Sequence, residues 1–254
     1  MAEIRFGDLA VICLPIILAP AIMMAGESVP ALQTADEVVA RMMAHDGERQ
    51  AALHGYTALR RYILENRRHH KQAEMLVRMI CREDGSKQFE VISANGWSGA
   101  RKHVFPRLLE AEIDAARPDL RERSRITPAN YTFEVAGTDD VRGRLAYVIS
   151  IAPKTPNKYL ARGRIWVDAD EYAIVRVEGE PAKNPSFWFK SVHFVHDYNK
   201  SGSFWFPVTD RSVTDVRIFG ATEMTIEYFD YAPNSIPSDF RSLETYSAAS
   251  GNTR

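Results

Sequence analysis

Between Arg144 and Tyr231 the chain runs through six alternating, aromatic-rich segments, Arg144–Ala152, Arg162–Asp168, Tyr172–Glu180, Phe187–Tyr198, Ser203–Asp215 and Glu223–Tyr231, cut by short runs of turn residues. Alternation with a period of two marks half-buried β-strands, and breaks this short and regular leave room only for hairpins. Consecutive hairpins build one antiparallel sheet. A large sheet with bulky side chains on one face must curl and cover that face, or hold something in it.

The N-terminal half extends the same plan. Thr34-Ala35-Asp36-Glu37 has the form of a capping box, a hydroxyl N-cap with a glutamate three positions on, ahead of Val38, Val39, Met42 and Met43. A helix is expected from Ala35 to about Ala44, resuming past Gly47 toward Leu53. Tyr56–Leu64 alternates, and Arg67–Lys71 then reads as a basic hairpin loop. Gln72–Glu83 and Lys87–Ala94 form a hairpin about Asp84-Gly85. From Ser98 to Arg117 the period changes to helical, with Val104, Leu108, Leu109 and Ile113 on one stripe; Pro106 falls inside it, so the helix can start there, and Pro118 ends it. Asn130–Ala136 is a further strand, with a turn at Gly137–Asp140. The expected fold is α+β, mainly β: a large antiparallel half-open barrel of about ten strands, with two helices covering its concave face. No βαβ succession occurs, which argues against a parallel sheet.

The first residues follow a different design. Leu9–Met24 carries no charge, follows Arg5 and leads into Ala25-Gly26-Glu27-Ser28, the outline of a secretory signal peptide. It contains Pro15 and Pro20 and is shorter than the ~20 residues of a membrane span. Residues 1–31 are therefore read as leader, 32–232 as a single domain, and 233–254, rich in Pro, Ser, Asn and Thr, as a flexible tail. The expected destination is the periplasm. Lys plus Arg number 32 and Asp plus Glu 33, so no basic excess points to nucleic acid. After processing Cys81 alone remains, which rules out an intrachain disulfide.

Catalytic and metal motifs all have plainer explanations. Gly96-Trp97-Ser98-Gly99 lacks the second glycine of a nucleophile elbow at Ala100 and has no parallel sheet beneath it. His193 and His196, three apart on a strand, point to opposite faces, and His69 and His70 sit in a polar loop; all four are expected to be solvated. Asp168-Ala169-Asp170-Glu171 is an acidic turn and not a calcium loop, because Tyr172 restarts a strand. Cys81 shares a face with Met75, Val77 and Met79, as an inert core thiol does. No metal, cofactor or catalytic residue is expected. What remains is the apolar face of the sheet, which parity assigns to Tyr147, Ile149, Ile165, Val167, Phe194, Phe204 and Phe206, with Trp166 on the other, more polar face. Incomplete cover by two interrupted helices leaves an apolar hollow there. Phe187-Trp188-Phe189 after Pro185 places neighbouring rings on opposite sides, which suits a cavity rim or docking surface.

With these elements placed, the chain resembles the outer-membrane lipoprotein-sorting superfamily, the LolA/LolB-like periplasmic carriers, in a less characterised bacterial branch. The resemblance is carried by Gly163–Asp168, Val175–Lys183, Pro185–Trp188 and Phe204–Pro207, and extends over roughly Asp36 to Tyr231. It implies a half-open barrel whose cavity, lidded by helices, takes up lipid or the acyl chains of lipoproteins without catalysis. The expected ligand-binding set is the seven sheet residues above with Leu108 and Leu109 from the helix. A monomer making transient membrane contact is expected. The alternative is an envelope-stress sensor or interaction module that binds an envelope protein through Phe187–Phe189; a hydrolase is the least favoured reading.

Overall fold

The computed structural model describes residues 33–157, 159–183, 189–216 and 220–236. The expected leader and most of the expected tail lie outside them, as do Phe187 and Trp188 of the expected rim. Helix α1 (Ala35–Ala52) is followed by β1 (Gly55–Asn66), β2 (Lys71–Arg82) and β3 (Lys87–Gly96), then α2 (Phe105–Ala115) and α3 (Pro118–Ser124). Seven strands complete the chain: β4 (Tyr131–Val141), β5 (Arg144–Pro153), β6 (Ala161–Asp168), β7 (Ile174–Pro181), β8 (Phe189–Ser201), β9 (Phe204–Val216) and β10 (Gly220–Pro233). All pair antiparallel in one sheet of order β3-β2-β1-β10-β9-β8-β7-β6-β5-β4. The sheet does not close. It is a half-open barrel, whose two edges are the consecutive strands β3 and β4. The chain between them, with α2 and α3, therefore has to pass from one edge of the sheet to the other.

Register defines the inner face. Directly paired residues of antiparallel strands share a face. One such row crosses all ten strands: Ala94, Met75, Tyr62, Ile226, Asp210, His196, Val177, Ile165, Ile149 and Val135. It is apolar towards both ends and polar at the centre. Two cores form accordingly. Over β4–β7, Tyr147, Ile149, Ile165 and Val167 are buried beneath Val38, Val39 and Met42 of α1. Over β1–β3, Tyr62, Met75, Met79 and Phe89 are buried beneath Phe105 and Leu109 of α2.

Several local expectations change. Helix α1 runs unbroken through Gly47, where a side chain would meet nothing within 4 Å. A solvent-facing glycine costs only ~1 kcal/mol relative to alanine, less than the buried stripe of α1 returns. Its capping box forms as read, Glu37 N–H donating to Thr34 Oγ1 at 3.3 Å and Thr34 N–H to Glu37 Oε2 at 2.9 Å. The second helix begins at Ser98, not at Pro106, because a turn of π-helix over Ala100–Val104 absorbs the missing proline N–H. Pro118 does not simply end it. As the first residue of α3, where an N–H is dispensable, it starts a third, unforeseen helix. Strand β4 passes through Gly137 by a bulge at φ +142°, and the turn falls at Arg142-Gly143, both at positive φ (56° and 79°) as a tight hairpin requires. Trp166 does lie on the opposite face from Ile165, but buried, in a small outer core with Val148 and Val175. Its Nε1 donates to Asp139 Oδ2 at 3.0 Å. Asn234, within the segment expected to be tail, is tied to the fold: it accepts from His54 N–H at 2.7 Å and donates from its own N–H to Gly55 O at 2.8 Å.

Candidate functional site

Between the two cores the inner face is crossed by a polar seam. His196 Nδ1 lies 2.7 Å from Asp210 Oδ1, and the Tyr228 hydroxyl donates to Asp210 Oδ2. The Tyr228 ring carries the Arg60 guanidinium at 4.7 Å, and Arg60, only 3% exposed, pairs with Glu112 of α2. Tyr62 donates to Glu112 Oε1 at 2.8 Å, and Lys87 Nζ lies 3.4 Å from Oε2. Burial pushes the Glu112 carboxyl up, but Arg60, Lys87 and the Tyr62 hydroxyl together pull it below the ordinary carboxylate range. The seam fastens α2 to the sheet. His196 is thus half-buried and paired, contrary to the expectation of a solvated ring, whereas His193 points to the other face beside Glu178, as parity requires. Nothing in the sequence pairs Arg60 with Glu112, since they are brought together only by the fold of α2 over β1.

Two cavities flank the C-terminal half of α1. The first, of about 410 Å³, lies between α1, the Ile126-Thr127 turn, Ile174 and the start of β9, with Phe204 and Phe206 in its wall. The second, of about 690 Å³, lies between the end of α1, the β2–β3 hairpin and α3, with Cys81 and Lys87 in its wall. Gln50, Leu53, Tyr56 and Arg125 line both, so the two are neighbouring compartments with a common wall. An aromatic cluster backs that wall: Phe206 stacks on Tyr231 at 4.3 Å and lies 4.8 Å from Tyr56. Burial raises the hydroxyls of Tyr56, Tyr198 and Tyr231 well above the ordinary range, so all three stay neutral. The polar groups of the first cavity sit at the α1 side. Gln50 Nε2 donates to Asp46 Oδ2 at 2.7 Å, Arg49 Nη1 to Glu171 O at 3.1 Å, and burial raises the Asp46 carboxyl against the pull of Arg49 and Arg125.

The nine expected ligand-binding residues do not converge on one surface. Phe204 and Phe206 line the first cavity. Tyr147, Ile149, Ile165 and Val167 are sealed beneath α1, and Phe194 packs against that core from the side. Leu109, with Leu108 packed beside it, belongs to the other core, across the seam. Of the rim, Phe189 opens β8 and its two predecessors fall outside the described residues. Met42, Met43, Leu53, Ile126 and Ile174 also line the first cavity, where the sequence pattern had not placed them. A signal for α1 existed: continued past Gly47, the helical period sets Met42, Asp46, Arg49, Gln50 and Leu53 on one stripe.

Residues 120–233 match a family of unknown function, DUF5686. No curated protein matches the chain. Among solved structures it is similar to a DUF1329 family protein from Desulfovibrio piger (10% identity, 81% of this chain and 95% of that one, TM-score 0.42). It is similar also to an outer-membrane lipoprotein-sorting protein domain from Vibrio parahaemolyticus (12% identity, 78% and 94%, TM-score 0.40). A third is a LolA superfamily protein from Nitrosomonas europaea (9% identity, 81% and 96%, TM-score 0.35). The half-open antiparallel barrel lidded by helices, expected from the sequence, is the fold of this chain.

Proposed function

We propose that this protein is a non-enzymatic carrier of the cell envelope that takes up an acyl chain of a lipid or lipoprotein in the cavity under α1. The observation behind the reading is that cavity itself, a hollow more apolar than polar beside two well-filled cores. Its 410 Å³ falls in the ~300–1,000 Å³ range of small-ligand sites. A methylene fills about as much space as a water, roughly 30 Å³, so the hollow suits one chain of roughly a dozen carbons. Each buried methylene contributes ~0.8 kcal/mol, so ten give a gross ~8 kcal/mol against the several kcal/mol of association and ordering. The ligand-binding residues are accordingly Phe204 and Phe206 with Met42, Met43, Leu53, Ile126 and Ile174. The four sheet residues beneath α1 support the floor.

The hollow is open at its Met43 side, and α1 forms one of its walls. This helix is held at its flank, where Arg41 Nη1 donates to the Tyr172 hydroxyl at 2.6 Å and His45 stacks on the Tyr172 ring at 5.7 Å. Polar tethers of this kind can be exchanged for water at little cost, unlike the apolar floor. Native mass spectrometry after mild purification, with titration of a fluorescent twelve-carbon fatty acid, tests the proposal. Binding at micromolar concentration that falls at least tenfold in Met43→Trp, a variant that fills the hollow from its exposed side, is expected. Protein that ignores the probe, or binds it unchanged in Met43→Trp, refutes it. The leader outline makes the carrier an exported one, and the mature N-terminus after secretion, read by intact mass, checks that part separately.

A further inference from the structure

We infer that the ligand is a single-chain amphiphile with an anionic end, a carboxylate or phosphate, received at Arg125 and Arg121 in the second cavity while its chain lies in the first. The inference rests on the carrier reading and adds the chemistry of the ligand's head. The two compartments share a wall at Arg125, so one molecule can occupy both. The second is bordered by Arg82, Lys87, Arg121 and Arg125 against only Glu83 and Glu122. Lys87 is engaged by Glu112, which leaves the arginines.

Arg125 is held loosely. Its Nη1 lies 3.4 Å from Glu122 Oε2 and its Nη2 3.9 Å from Asp46 Oδ2, both long for charged hydrogen bonds, which form at ~2.7–2.9 Å. A guanidinium with five donors retains capacity for an incoming oxyanion in such a setting. Arg121 is better anchored. Its Nη1 donates to Asp84 O at 2.8 Å, and its guanidinium lies where a Cβ at Gly85 would come within 1.6 Å of Nη1. Glycine at that turn, required by φ +83°, also leaves the arginine its place over the hairpin.

A second observation points the same way from inside the first cavity. Thr127, 7% exposed, lines it, and its Oγ1 has no hydrogen-bond partner among the described residues. A buried hydroxyl left without a partner costs ~1–3 kcal/mol; this one is closed to solvent as the turn stands, and an ester or carboxyl oxygen of a ligand would accept from it once the Ile126-Thr127 turn yields enough to uncover it. Thr127 stands two residues from Arg125 on the same turn, so chain, linkage and head would meet apolar wall, hydroxyl and guanidinium in that order.

The test compares dodecanoate, dodecyl phosphate and dodecanol, each below its micelle concentration, by calorimetry on the mature protein, with inorganic phosphate as a separate arm. The two anions are expected to bind at least tenfold tighter than the alcohol. Arg125→Gln should close most of that gap, Arg121→Gln part of it, and Thr127→Val should weaken dodecyl phosphate, which has an ester oxygen below its head, about threefold. Equal affinity for anion and alcohol overturns the inference but leaves the carrier reading intact. Binding of inorganic phosphate as tight as dodecyl phosphate also overturns it, as a site for the free ion. Absence of binding by all three refutes the carrier reading as well. Arg125 is part-exposed, so its loss should not unfold the protein; circular dichroism of each variant verifies this, and Arg121→Gln provides an independent readout.

Discussion

Removing Glu112 should release α2 from the sheet, and the cost can be bounded from its surroundings. The Arg60 guanidinium lies between the rings of Tyr228 (4.7 Å) and Phe89 (5.5 Å), and its Nε has no partner among the described residues. Beyond Glu112, its remaining polar contact is Nη1 donating to the Tyr62 hydroxyl at 3.4 Å. Glu112→Ala thus strands a buried cation, a class of change that costs ~3–5 kcal/mol. Glu112 itself is 24% exposed, which lets water reach the vacated space and places the value at the lower end. Against a total stability of ~5–15 kcal/mol this is a large fraction. In a domain of this size each kcal/mol moves Tm by ~2–4 °C, so a drop of roughly 6–12 °C is expected. Urea unfolding measures it directly. Because apolar replacement of a buried pair is commonly neutral or stabilising, Arg60→Met with Glu112→Met should recover most of the loss. A single substitution costing under ~1 kcal/mol, or a double one no better than the single, contradicts the assignment of Arg60 as a buried, dependent charge.

Acid should act through Glu112 of this seam and through Asp168, which pairs with Arg144 at the end of β6. Glu112 and, where Arg144 and two turn N–H groups outweigh burial, Asp168 are both held below their ordinary values in the folded chain. Depressed carboxyls contribute stability that is complete above ~pH 4.3 and is lost as pH falls further, so Tm should be level from pH 7 to 5 and decline below; a steady decline from neutrality would count against it. Thr34→Ala removes the hydroxyl that caps α1 and should cost ~1 kcal/mol in urea titration, with no loss at all arguing that the cap is idle. Burial raises the Cys81 thiol, so iodoacetamide should label it at pH 8 several-fold more slowly than a free cysteine, and an equal rate would mean that the β2 end is open.

The strands were legible because each has its own local signal. Alternation places residues on faces, and turn residues such as Asp84-Gly85 end the runs, so all ten strands and their pairing order in the meander follow from short-range pattern. Position 137 shows the limit: a glycine reads as a turn, yet a bulge uses the same freedom at φ +142° without interrupting β4. Parity also chose the right face for Tyr147, Ile149, Ile165 and Val167. Parity has no access to what lies above a face. It could not tell that α1 seals these four while Leu108 and Leu109 cover a different group of strands. The hollow depends on α1 continuing past Gly47 and on α3, whose seven residues are too few for a clear period. Arg60 and Glu112, 52 positions apart, are recognisable as partners only in three dimensions.

The strand at the end of the described chain is the one that joins everything before it. β10 alone connects β1–β3, completed by Gly96, to the β4–β9 meander. Until Gly220–Pro233 is inserted, the molecule is two separate ribbons with bare inner edges, β1 on one side and β9 on the other. During synthesis these two edges therefore stay open until β10 emerges, and a chaperone that shields them would guard the step at which the two parts of the sheet join.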